Sequence, residues 1–169
     1  MSESAFDNLM ASIDPVMVVV TTIAESEQAG CLVGFHTQSS ISAQHYCLWL
    51  SKANHTYRVS LRATHFAVHF LTKEDLAIAE RFGTRSGEDV DKFAGIEVDT
   101  GKRGIPLLRE CPNRMILERL VVLDDGGDHV CITARVQSAH AKEAFVPLRI
   151  SDTAHLNAGQ PSENRAIQP

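Results

Sequence analysis

Three short polar stretches carry most of the chemistry this chain can offer. The first is Gly34-Phe35-His36-Thr37-Gln38-Ser39-Ser40-Ile41-Ser42, in which six of nine side chains can hydrogen-bond. It follows an apolar run, so it reads as a strand that turns polar at its end. Hydroxyls and amides placed there can hold the polar edge of a flat heterocycle, or they simply form a solvated, Ser-rich loop. The second is Ser51-Lys52-Ala53-Asn54-His55-Thr56, between an apolar strand and a helix. A helix start offers free amides and the positive end of a dipole. A Lys, a Ser and a Thr beside it suit a phosphate, although an ordinary N-cap with a solvated Lys gives the same residues. The third is Gly127-Asp128-His129, where the imidazole either meets the edge of a bound ring or hydrogen-bonds its own turn.

Other constellations are weaker. Arg81, Arg85 and Lys92 flank Gly83 and the acidic Glu88-Asp89; they either reach a phosphate or form a solvated helix face. No G-x-S-x-G elbow, G-x-G-x-x-G fingerprint or phosphate-binding P-loop pattern is present. His36, His45, His65, His69, His140 and His155 are too scattered to read as a metal site. Cys31, Cys47, Cys111 and Cys131 are far apart and form no C-x-x-C pair. They read as structural thiols in a reducing compartment.

These stretches need elements to position them. Ser4 to Ile13 reads as an amphipathic helix, ended by Asp14-Pro15. Val16 to Thr22 is a β-branched, buried strand. Glu25 to Gly30 reads as a turn, and Cys31 to Ser40 as a second strand that becomes polar. Tyr46 to Leu50 and Phe66 to Leu71 are further strands, with a helix from Asn54 or His55 to about Ala63 between them. Asp75 to Phe82 is a helix terminated by Gly83. Gly87 to Phe93 is expected to hold one more turn, and Asp99 to Gly104 a polar loop. Arg114 to Leu123 and His129 to His140 form a hairpin across Asp124-Asp125-Gly126-Gly127-Asp128. Val146 to Ile150 is expected as a last short strand. Strands joined by brief helices argue for a mainly β, antiparallel barrel or sandwich.

The bulk numbers agree. A chain of 169 residues with 44% hydrophobic and 22% charged residues suits one globular domain, here expected over residues 1–155, with 156–169 a flexible tail. A net charge of −5 disfavours nucleic acid. No apolar run reaches a membrane span and no signal peptide is read, so a cytoplasmic location is expected.

The order of these segments resembles the flavin reductase-like family of FMN-binding split barrels. The Val-rich strand after Asp14-Pro15 ends in Thr21-Thr22, and Gly34 to Ser42 is similar to the family's Gly-x-Thr-x-Ser-Ser segment. Ser51 to Thr56 resembles its Lys-x-Ser-x-Thr segment, and Phe66 to Leu71 its Phe-Ala-Val-Asn-x-Leu strand. Leu76 to Phe82 is similar to its Leu-Ala-x-x-Phe helix, Gly104 to Leu108 to its Gly-x-Pro-x-Leu element, and Gly127-Asp128-His129 to its Gly-Asp-His. The resemblance covers roughly residues 14–150 and is nearest to short actinobacterial members. Departures are Ala43-Gln44-His45 in place of Asp-Pro-Pro, Asn54 in place of Ser, and His69 in place of Asn.

The resemblance implies a homodimeric, antiparallel split β-barrel and NAD(P)H-dependent flavin reduction. FMN, or FAD, would be the flavin and NADH or NADPH the reductant, with a partner monooxygenase as a possible acceptor. Thr37, Gln38, Ser39 and Ser40 would line the flavin ring and ribityl chain. Ser51, Lys52, Asn54, His55 and Thr56 would hold the ribityl and phosphate end, and His129 would sit on the nicotinamide side as the catalytic residue. The alternatives are a non-catalytic flavin carrier or sensor, or a deazaflavin-dependent oxidoreductase on the same barrel.

Overall fold

The computed structural model describes residues 4–84, 87 and 90–154. Seven strands form one antiparallel sheet in the order β2-β1-β5-β8-β9-β4-β3. They are β1 (Val18–Ala24), β2 (Glu27–Val33), β3 (His36–Ser40), β4 (His45–Ser51), β5 (His65–Phe70), β8 (Arg114–Leu123) and β9 (His129–His140). A small ribbon of β6 (Val98–Thr100) and β7 (Pro106–Leu108) stands apart. Among the described residues three α-helices complete the fold: α1 (Ala5–Ile13), α2 (His55–Ser60) and α3 (Leu76–Thr84).

The sheet curls until its two edges, β2 and β3, approach without pairing, which makes a barrel with an open seam. The chain crosses that seam through Gly34-Phe35, and the amide of Trp49 on β4 donates to the Phe35 carbonyl (3.0 Å). Val18 and Val20 point into the barrel with Phe66, Leu48 and Ile132. Met17 and Val19 face outward into a second core closed by Ile78, Ala79 and Phe82 of α3. Burial on both faces is why β1 is β-branched along its length rather than alternating.

His69 ties the ribbon to the barrel. The Leu108 amide donates to Nε2 (3.1 Å), so the ring proton sits on Nδ1 and donates to the Val19 carbonyl (3.1 Å). Burial holds this imidazole neutral and lowers its pKa to about 4. The Thr21 hydroxyl adds a bond to the Pro106 carbonyl (2.6 Å).

The β8–β9 hairpin and the Asn54 cap of α2 stand where the sequence puts them, and Ser4 proves to be the cap of α1 and not its first residue. Five expectations need correction. Cys31 to Ser40 is not one strand: β2 ends at Val33 and β3 starts at His36 on the opposite edge of the sheet. The turn over Glu25 to Gly30 shrinks to Glu25 and Ser26, both at positive φ (50° and 68°), so β2 starts at Glu27. Gly83 lies inside α3 instead of ending it; a Cβ there would stand 2.8 Å from Leu32 Cδ2, so the glycine lets the helix press on β2. Asp99 to Gly104 is not all loop: it contributes to β6 and then a 3-10 turn at Lys102–Gly104. Val146 to Ile150 is no strand but a strap that touches two neighbours through single bridges, at Thr72–Pro147 and Val16–Arg149. Pro147 has no amide to extend a ladder. The helical turn expected over 87–93 falls partly outside the described residues, and 92–95 form a plain turn. The tail after residue 155 also lies outside them.

Asp14 closes the chain on itself. Its carboxylate accepts from the amide (2.9 Å) and hydroxyl (2.7 Å) of Ser151, and its carbonyl accepts from Arg149 (3.0 Å). All four cysteines are free, and Cys31, Cys47 and Cys111 are buried. Among the described residues no helix is long and apolar enough to cross a membrane.

Candidate functional site

The seam of the barrel holds a cleft of about 230 Å³. Its walls come from three places: the end of β2 with Gly34-Phe35, the end of β4 at Trp49–Ser51, and Phe82-Gly83 of α3. Asn54 and His129 complete it. Ser51 and His129 meet because they are directly opposed in the β4–β9 pairing. Asn54 arrives because the chain turns straight from β4 into α2. It caps that helix, its Oδ1 accepting from the Thr56 amide at 2.9 Å, and the Ser51 hydroxyl oxygen accepts from the Ala53 amide at 3.2 Å.

His129 does two things at once. Its Nδ1 lies 2.7 Å from Asp128 Oδ1, and that contact holds the Asp128 carboxyl below its usual pKa. Its ring also packs against Phe35, with centroids 4.8 Å apart and planes tilted by 56°. The turn-histidine reading is met by the Asp128 contact, and the ring also lines the cleft. The carboxylate fixes the ring while its face borders the cleft.

The other expected residues lie elsewhere. Thr37, Gln38 and Ser39 are exposed on the edge strand β3, and Ser40 is half-buried at its end. None of these four borders the cleft. Thr37 Oγ1 and Gln38 Nε2 bond only to nearby backbone carbonyls of the same strand. Lys52 turns away from the cleft to Asp124 (2.9 Å), and its amide donates to the Asp128 carbonyl (2.9 Å). That ammonium, followed by the Gly126 amide, keeps the Asp124 carboxyl below its usual pKa. His55 faces Glu27 across 3.0 Å in a neighbouring hollow. Thr56 is buried in the first turn of α2, where its hydroxyl faces Cys31.

The alternative phosphate cluster dissolves. Arg81 donates to the carbonyls of Ala94 (2.8 Å) and Lys92 (3.4 Å). Lys92 is buried and donates to the carbonyls of Gly30 (3.0 Å) and Phe82 (3.1 Å). Both serve the fold. Arg85, Glu88 and Asp89 lie outside the described residues.

Sequence reasoning passed over Phe35 and Trp49 as site residues. The signal was available for both. Phe35 is a large apolar side chain set among polar ones, and Trp49 is the chain's single Trp, half-exposed in a strand whose neighbours Leu48 and Leu50 are buried. The cleft thus has an aromatic and aliphatic wall with Ser51, Asn54 and His129 as its polar points. That pattern suits the edge of a flat heterocycle.

A family profile described as "Flavin reductase like domain" matches residues 10–152. A ferric-chelate reductase (NAD(P)H) of Archaeoglobus fulgidus is 24% identical over 145 residues, 85% of this chain and 86% of that protein. The reductase subunit HsaB of a flavin-dependent monooxygenase from Rhodococcus jostii is 31% identical over 126 residues, 72% of this chain. The match spans 60% of that subunit's own length. Among solved structures, an FMN-binding protein from Thermus thermophilus superposes with a TM-score of 0.70 at 25% identity, covering 77% of this chain and 72% of its own.

Proposed function

The chain belongs to the flavin reductase-like family of oxidoreductases, and on that premise we propose that it passes a hydride from NADH or NADPH to FMN. The flavin, when bound, supplies the redox chemistry; the protein has to hold two flat rings together and keep water out. The observation that carries the reading is the cleft itself. Two separate sequence motifs deliver Ser51 and Asn54, and His129, to one aromatic-walled pocket at the barrel seam.

The fit of a flavin follows from size and chemistry. At about 230 Å³ the cleft is smaller than the roughly 300–1,000 Å³ usual for a drug-sized ligand. It would take only part of a flavin. The remainder would run out past Phe35 onto β3, where the hydroxyls of Thr37, Ser39 and Ser40 line an unpaired edge. Lys52, His55 and Thr56 would act at the other end, around the start of α2. His129, fixed by Asp128, would stand over the side from which the nicotinamide approaches. FAD is the alternative flavin.

A second copy of the chain is part of this reading. Ile41 beside β3 is 83% exposed, and Phe35 is 53% exposed. Leu120, Val121 and Leu123 on the hairpin and the apolar face of α1 are also exposed. A homodimer would bury such patches and cover the outer half of the flavin. A partner monooxygenase is the proposed consumer of reduced flavin, in line with the name of the Rhodococcus relative. The unpaired cysteines support a cytoplasmic setting.

An anaerobic titration with FMN, followed by NADH and then NADPH, tests the proposal through the flavin's visible absorbance. Saturable binding and bleaching are expected. Binding without bleaching by either nucleotide would make the protein a carrier or sensor. Failure to bind FMN or FAD would overturn the flavin assignment and favour a deazaflavin.

A further inference from the structure

At the end of the β8–β9 ribbon remote from His129 lies a second, larger pocket of about 840 Å³. Ser138 on its wall is nine residues along β9 from His129, roughly 30 Å of strand. The chain carries more acids than bases, yet Lys102, Arg103, Arg114 and Arg135 all border this pocket, and among the described residues no Asp or Glu does. Lys102 and Arg103 have no carboxylate partner among the described residues. Arg135 has only a loose one, Glu118 at 3.7 Å. Arg114 is fixed at the wall by bonds from Nη1 to the carbonyls of Leu108 (3.2 Å) and Cys111 (3.4 Å).

Two further observations point to a ligand. His65 borders the pocket, is only 6% exposed, and has a buried Nε2 with no hydrogen-bond partner among the described residues. Its Nδ1 is already paired with the Thr64 hydroxyl (2.8 Å). Buried ring nitrogens are rarely left unpaired without a reason. Arg103 is also held at φ 62°, a conformation that costs a non-glycine residue energy and recurs at ligand sites.

We propose that this pocket is an anion site for a phosphorylated ligand of nucleotide size, separate from the flavin cleft. Leu107, Ile116 and Val136 offer an apolar wall for a base. Arg103 and Arg135 offer planar forks that match phosphate oxygens in pairs. The volume is that of an ordinary small-molecule site and well beyond an inorganic ion's need. The pocket shares no lining residue with the cleft, so a molecule held there acts as an effector or a tether.

The test is calorimetric titration of the full chain, saturated with FMN, using ADP, pyrophosphate and citrate in turn at low salt. ADP is expected to bind at one site per chain, tighter than pyrophosphate. Arg103→Gln and Arg135→Gln are each expected to weaken it by about ten-fold or more, with FMN affinity and melting temperature unchanged. Citrate binding better than ADP would overturn the phosphate assignment. No saturable binding, or binding that both variants leave intact, would overturn the site. A change of oligomeric state in the variants without loss of ADP binding would make the pocket a contact between copies and would also overturn it.

Discussion

Mild acid should loosen the ribbon from the barrel, and His69 sets how much. In the folded protein its Nε2 must stay unprotonated, because the Leu108 amide already points at it. Its pKa falls from 6.5 to about 4, chiefly through burial. The unfolded chain takes up this proton near 6.5 and the folded chain only near 4, so between those values the unfolded state binds more protons. Stability from this group is complete above pH 6.5 and is lost as the pH falls toward 4. The full amount is about 3 kcal/mol, from roughly 1.4 kcal/mol per pKa unit, and most of it is gone by pH about 4.5. His36 and His65, both lowered mainly by burial, add to the slope in the same direction. His69→Asn isolates the effect. The Asn amide can still donate toward the Val19 carbonyl, while the Leu108 amide loses its acceptor, at a cost of about 1–3 kcal/mol near neutral pH. Urea unfolding of both proteins from pH about 7.5 to 4.5 should show the wild type ahead at the start and its lead closing or reversing. Parallel pH curves would refute the assignment of the neutral, Nδ1-protonated ring.

Other outcomes follow from the same geometry. Asn54→Ala removes the α2 cap, so it should cost about 1 kcal/mol in thermal or urea unfolding and also weaken FMN in an absorbance titration. A loss of stability alone would take Asn54 out of the site. His129→Ala should slow NADH oxidation more than it weakens FMN binding; the reverse split, measured by stopped flow and titration, would move it to the flavin side. Gly30→Ala sets a Cβ 2.9 Å from Phe82 Cε1 and 3.2 Å from Phe93 Cζ. Both rings are packed, so the substitution should destabilise by about 1–3 kcal/mol in urea unfolding.

The parts of this fold written in local chemistry were readable. Asp124 to Asp128 announces a hairpin because Asp124 and Asp125 bond their own turn and Gly126 supplies φ 93°. Asn54 announces a helix start because its side chain caps it. What depended on distant partners was not readable. Gly83 looks like a helix stop until Leu32 is seen against it. Val146 to Ile150 has the composition of a strand but lies as a strap between the ends of β1 and β5. In the site, Ser51, Asn54 and His129 were found as members of two motifs, but their meeting comes from the β4–β9 register. The cation expected at a phosphate, Lys52, is held by a carboxylate on the hairpin. Trp49 was missed because an apolar residue within a strand reads as core, and Phe35 because the polar side chains around it carried the reading.

The clasp at Asp14 has a topological meaning. Because Ser151 and Arg149 grip residue 14, the chain from 14 to 151 returns to its own start, like a ring with one gap. Ile150 borders the seam cleft, so that gap sits on the rim of the pocket. Cargo spliced to either side of the clasp would emerge at one address beside the cleft. The whole ring could also be inserted into a loop of another protein without stretching the host, since the ends it must bridge are already side by side.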